Sequence, residues 1–115
     1  MKESLIARAA ERIVMAIDKL SRLWSEHQND HFPAGCAGTD IEGVDLVLLD
    51  EYVAGCISTA AGSSDRLDGE RLKILSDCRK NILKVNPKLP ETAKSYFERL
   101  LQMTELALTE NGWKP

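Results

Sequence analysis

Apolar residues in the first quarter of the chain return every three or four positions, at Ile6, Ala10, Ile13, Ile17, Leu20 and Trp24. With 3.6 residues per turn, that spacing lays one stripe along an α-helix. A first helix is predicted over about 4–28, with Ser4 as N-cap and Asp18, Arg22 and Glu26 as charge neighbours on the far side. Val14 and Met15 fall off the stripe, either as ordinary exposed apolars or as the edge of a contact surface. The same period in Leu46, Leu49, Val53, Cys56, Ile57 and Ala60 predicts a second helix over about 45–61, capped by Asp45 and stopped by Gly62. Its back carries one charge, Glu51, beside Gly55 and Ser58, so it reads as a helix crowded on several sides.

Leu72, Leu75, Cys78, Ile82 and Val85 predict a third helix over about 68–85. Ala93, Phe97, Leu100, Leu101, Thr104, Ala107 and Leu108 predict a fourth over about 90–110, with Leu106 pointing away. Pro90 pre-sets its first turn, Asn111-Gly112 ends it, and Trp113 can fold back over the last turn. Between these helices lie a turn at Gly62-Ser63-Ser64-Asp65 and a tight reversal at Asn86-Pro87-Lys88-Leu89. The stretch from Asn29 to Val44 holds Pro33, Gly35, Gly38 and Gly43 without periodicity and reads as a loop long enough to attract functional interest. The fold class expected is all-α, an antiparallel four-helix bundle with that long loop between helices 1 and 2.

The 115 residues, 43% of them apolar, suit one domain over 1–115 without disulfide or metal staples. Cys36, Cys56 and Cys78 form no Cys-x-x-Cys pair, so reduced thiols are expected. The longest aliphatic run, Leu46 to Leu49, is far below the ~20 residues that cross a bilayer. Charged Glu3, Arg8 and Glu11 interrupt what an export signal would leave apolar, so the cytoplasm is the expected location.

Charge is distributed unevenly. Between Arg22 and Arg66 there is no Lys or Arg, but there are eight acids: Glu26, Asp30, Asp40, Glu42, Asp45, Asp50, Glu51 and Asp65. Packing against the basic helices could neutralise this segment internally. A surface cluster would instead attract a basic protein and repel phosphate backbones, which disfavours direct nucleic-acid binding.

Candidate chemistry is sparse. His27 and His31, four apart, could meet Asp30, Cys36 or Asp40 in a mixed zinc site, the basis of an alternative reading as a small metal-dependent hydrolase. Helix-end histidines that favour the C-terminal dipole are the ordinary reading. Asp40-Ile41-Glu42-Gly43-Val44-Asp45 lacks the spacing of a calcium loop. Cys36 follows His31 by five residues, but the surrounding acids disfavour a thiolate, so it reads as inert. No phosphate loop, nucleophile elbow or dinucleotide fingerprint occurs, and no cofactor is expected. Arg71 and Arg79 flank the apolar stripe of the third helix and need carboxylates; Asp50 is the expected partner of this structural ion pair, with an anion site as the alternative.

In size, charge and helical content the chain resembles bacterial immunity proteins that neutralise nuclease toxins, and Asp50-Glu51-Tyr52 carries the acidic and aromatic pairing used against basic toxins. No family motif accompanies that likeness. The function expected is a non-enzymatic interaction module that contacts a basic partner protein through Asp40, Glu42, Asp45, Glu51 and Tyr52. A homodimeric helical module, with Gly55 and Ser58 allowing close helix approach and Met15 or Leu106 adding apolar contact, is a further alternative.

Overall fold

The computed structural model describes residues 5–62 and 66–113, so Ser4 and the turn residues 63–65 lie outside the described residues. Described residues form four α-helices and one small hairpin, and 74% of them are helical. The order is α1 (Leu5–Gln28), β1 (Asp40–Ile41), β2 (Val44–Asp45), α2 (Leu46–Gly62), α3 (Gly69–Val85) and α4 (Glu91–Glu110), with one 3₁₀ turn at Asn86–Lys88 joining α3 to α4. No helix among the described residues is long and apolar enough to cross a membrane.

The apolar stripes converge on one core in which Leu20, Val53, Ile57, Leu75, Ile82, Phe97, Leu100 and Met103 are essentially inaccessible. Helix α4 packs against each of the other three, so its buried arc is wide. That width corrects the expectation for Leu106, which packs partly against the core instead of pointing away. Helix α2 departs from expectation in the opposite sense: its back is open, and Leu48 and Tyr52 stand exposed there.

Helix ends follow local chemistry. Asp45 Oδ1 accepts hydrogen bonds from the Val47 and Leu48 N–H groups, and Asp68 Oδ1 accepts from Arg71 N–H, satisfying donors that α2 and α3 cannot use internally. At the end of α4, Gly112 (φ 93°) lets the chain turn back. Trp113 N–H then reaches the Leu108 carbonyl and Gly112 N–H the Thr109 carbonyl, the paired bonds of a Schellman cap.

The long connection is more ordered than its composition suggests. Ile41 pairs with Val44 across a two-residue turn whose central residues, Glu42 and Gly43, have φ of 53° and 77°. Positive φ at both positions is what a type I′ turn needs, and glycine supplies the second without strain. Phe32, Ile41 and Val44 pack on the core, and Cys36 is 1% exposed.

Candidate functional site

Two places gather polar side chains that the core cannot explain. The first lies where the last turn of α1 meets α2 and α4. His27 falls seven residues after Leu20 and three after Trp24, so helical periodicity turns it inward, and it is 6% exposed. A buried imidazole requires partners. Arg99 Nε–H points at His27 Nδ1 (3.4 Å), which therefore accepts, and the ring proton on Nε2 is donated to Asp50 Oδ1 at 2.8 Å. Tyr96 OH donates to Asp50 Oδ2 at 2.9 Å and lies 3.1 Å from His27 Nε2. Arg99 reaches onward to Asp30 Oδ2 at 2.8 Å while its guanidinium covers the Tyr96 ring. Trp24 stacks on His27, and Phe32 meets Tyr96 and Phe97 edge to face.

The electrostatics of this cluster are consistent with its bonding. Burial, reinforced by the adjacent Asp50 charge, pushes the Tyr96 phenol well above its ordinary range, so it stays a donor. The Arg99 hydrogen bond, with help from the His31 N–H, holds the Asp30 carboxyl below the usual carboxylate range. Both imidazole nitrogens and both Asp50 oxygens are occupied by neighbours. The arrangement is a clamp joining α1, α2, α4 and the start of the long connection.

This geometry corrects two expectations. Asp50 does not pair with Arg71 or Arg79, because α2 turns it toward His27 and Tyr96. Arg71 instead folds onto its own N-cap, Asp68 Oδ2, at 2.5 Å, a partner one turn away on the same helix. Arg79 Nε donates to Glu105 at 2.9 Å across the α3–α4 contact, and its guanidinium sits 4.7 Å from the Trp113 ring. The zinc grouping also fails to assemble: His27 is consumed by the clamp, and His31 and Asp40 are exposed. Among the described residues no three His, Cys, Asp or Glu side chains are grouped as ligands.

The second place is the outward face of α2 with the neighbouring hairpin. Part of the acidic segment is engaged internally: Asp30 pairs with Arg99, Glu42 pairs with Lys88, and Asp50 is hydrogen-bonded within the clamp. Asp45 is spent on capping α2 and stands opposite Asp40 in the hairpin, two like charges beside a helix N-terminus that favours both. Asp40 and Glu51 make no ion pair or side-chain hydrogen bond among the described residues, and both are exposed. Of the five expected contact residues, Asp40, Glu51 and Tyr52 therefore remain available, whereas Glu42 and Asp45 are engaged. Leu48, absent from that expectation, is 45% exposed one turn before Tyr52 at 56%. Four consecutive aliphatics, Leu46 to Leu49, cannot all face one side of a helix, which is the signal that marks it.

The thiols are quiet. Cys36, Cys56 and Cys78 are free and buried, and burial pushes Cys78 up to about 11 and raises Cys56. Comparison of the chain with protein families, characterised proteins and solved structures finds no match.

Proposed function

We propose that this protein is a non-enzymatic interaction module that binds a basic partner protein through the outward face of α2 and the adjoining hairpin. One observation carries the reading: Leu48 and Tyr52, four residues apart, expose 45% and 56% of their surface on the helix that also presents the unpaired carboxylate of Glu51, and the hairpin leading into that helix exposes Asp40. An aromatic and an aliphatic anchor rimmed by charge has the composition of an interface centre, and the carboxylates would steer a cationic partner. Phosphate backbones would be repelled by the same face. An immunity or antitoxin role, in which an acidic helical protein masks a basic toxin, is one instance of this function.

An antiparallel four-helix bundle is the arrangement we favour for the scaffold. The short 3₁₀ turn between α3 and α4 and the meeting of His27, at the end of α1, with Tyr96 and Arg99, near the start of α4, support it. Three buried free thiols suit a reducing compartment such as the cytoplasm.

The test is native mass spectrometry of tagged protein recovered from its own cells at low salt. The expected result is a basic protein at fixed stoichiometry that is lost at high salt and in the variants Leu48→Ser/Tyr52→Ser and Asp40→Asn/Glu51→Gln. A complex indifferent to both variants, or a homodimer alone, would overturn the reading.

A further inference from the structure

A cleft of about 310 Å³ opens between α2 and α3, and Tyr52 and Glu51 belong to its lining. Its inner part is apolar, with Cys56 at 4% exposure and Ile74 partly buried against the core. Its mouth is set by the exposed Glu51 and Glu70, whose carboxylates have no ion pair among the described residues. Arg71 also lines the cleft, but its guanidinium is bound to Asp68, so the two glutamates decide the local sign.

Gly55 supplies an independent indication. A glycine inside a helix is destabilising relative to alanine, and such a position ordinarily reflects a close neighbour or a left-handed backbone. Neither applies at Gly55: its φ is not positive, and a Cβ built there meets no atom within 4 Å. What the missing side chain does is leave the cleft open.

We propose that this cleft receives one cationic side chain, arginine or lysine, from the partner protein. Its aliphatic stem lies against Tyr52, Cys56 and Ile74, and its charged head faces Glu51 and Glu70. The source of the side chain rests on the functional reading above; the preference of the cleft for a cation does not. A single long anchor in a pocket beside an exposed aromatic is the form that interface hot spots commonly take.

The experiment is a titration of ¹⁵N-labelled protein with N-acetyl-arginine amide, using N-acetyl-norleucine amide as the uncharged control. Saturable shifts at Gly55, Cys56 and Ile74 are expected in the millimolar range with arginine and not with norleucine. Gly55→Leu, which adds a side chain where there is space for one, abolishes them, and Glu51→Gln/Glu70→Gln weakens binding about three- to tenfold while the spectrum stays that of the folded chain. Shifts confined to Asp40–Asp45 would overturn the cleft and leave the acidic-surface reading standing. No saturable shift, or equal binding of norleucine, would overturn the cleft outright.

Discussion

Replacing Tyr96 by phenylalanine removes one oxygen and keeps the ring, so it isolates the hydroxyl that ties α4 to α2. The hydroxyl donates to Asp50 Oδ2 at 2.9 Å, while ring contacts with Phe32, Phe97 and Arg99 do not depend on it. Hydrogen bonds to charged groups contribute about 1.5–3 kcal/mol. The Asp50 side chain is 18% exposed, so water can partly replace the lost donor. The expected destabilisation is therefore toward the low end, about 1–2 kcal/mol. Urea unfolding followed by circular dichroism would register this as a lower midpoint at unchanged slope. Tyr52→Phe, at an exposed hydroxyl, is the matched control and should leave the midpoint where it was. In a cycle with Asp50→Asn the two losses should be less than additive, because both substitutions break one interaction. A Tyr96→Phe midpoint equal to wild type, or strict additivity in the cycle, would refute the claim that this cluster holds the helices together.

Other substitutions probe separate parts of the account. Gly55→Ala should stabilise the fold by about 0.5–1 kcal/mol, since alanine is the better helix former and the added methyl meets no neighbour; calorimetry decides. Glu110 sits at the C-terminal end of α4 with a buried carboxylate oxygen that lacks a partner among the described residues, and burial raises its pKa. A raised carboxyl favours the folded state when protonated and disfavours it as pH climbs, so Glu110→Gln should stabilise at pH 7 and lose that advantage below about pH 4.5. The thiol of Cys78 behaves alike at alkaline pH. With its pKa moved from 9.0 to about 11, folding loses on the order of 2 kcal/mol as pH rises across that interval, and Cys78→Ala should flatten the slope of stability against pH there. Asp30 and Asp68 act in the opposite direction: their lowered pKa values add stability above the ordinary carboxylate pKa, and it is lost as pH falls through the folded values. Acid unfolding of Asp30→Asn should accordingly show a weaker pH dependence than wild type.

What could be read from the sequence was what is local. Stripes such as Leu75, Cys78, Ile82 and Val85 declare a helix because each position's neighbours lie three or four residues away, and the Asp45 cap acts over the same range. The hairpin escaped because strands of two residues are too short to show alternation; its signal was Glu42-Gly43 between two β-branched residues. The clamp escaped for a different reason. The need for a partner was visible, since Asp50 lies at the edge of an inward face, but its partners are 23 and 46 residues away. Arginine on α3 was an equally reasonable choice on charge alone, and only the direction in which α2 faces α1 and α4 decides between them. The acidic segment was legible as a charge imbalance, whereas its partial neutralisation by Arg99 and Lys88 depended on tertiary packing.

The central claim, that the outward face of α2 is where a basic partner docks, is tested most directly by site-specific photo-crosslinking. A photoreactive phenylalanine analogue placed at position 52 in the living cell is expected to capture one protein of basic composition. The same group at position 83, an exposed apolar site on α3, serves as the comparison. Capture from position 52 that fades with added Glu51→Gln/Glu70→Gln, and no matching product from position 83, is the result the account requires. Equal capture from both positions, or a product from position 52 that is only a second copy of this chain, would contradict it.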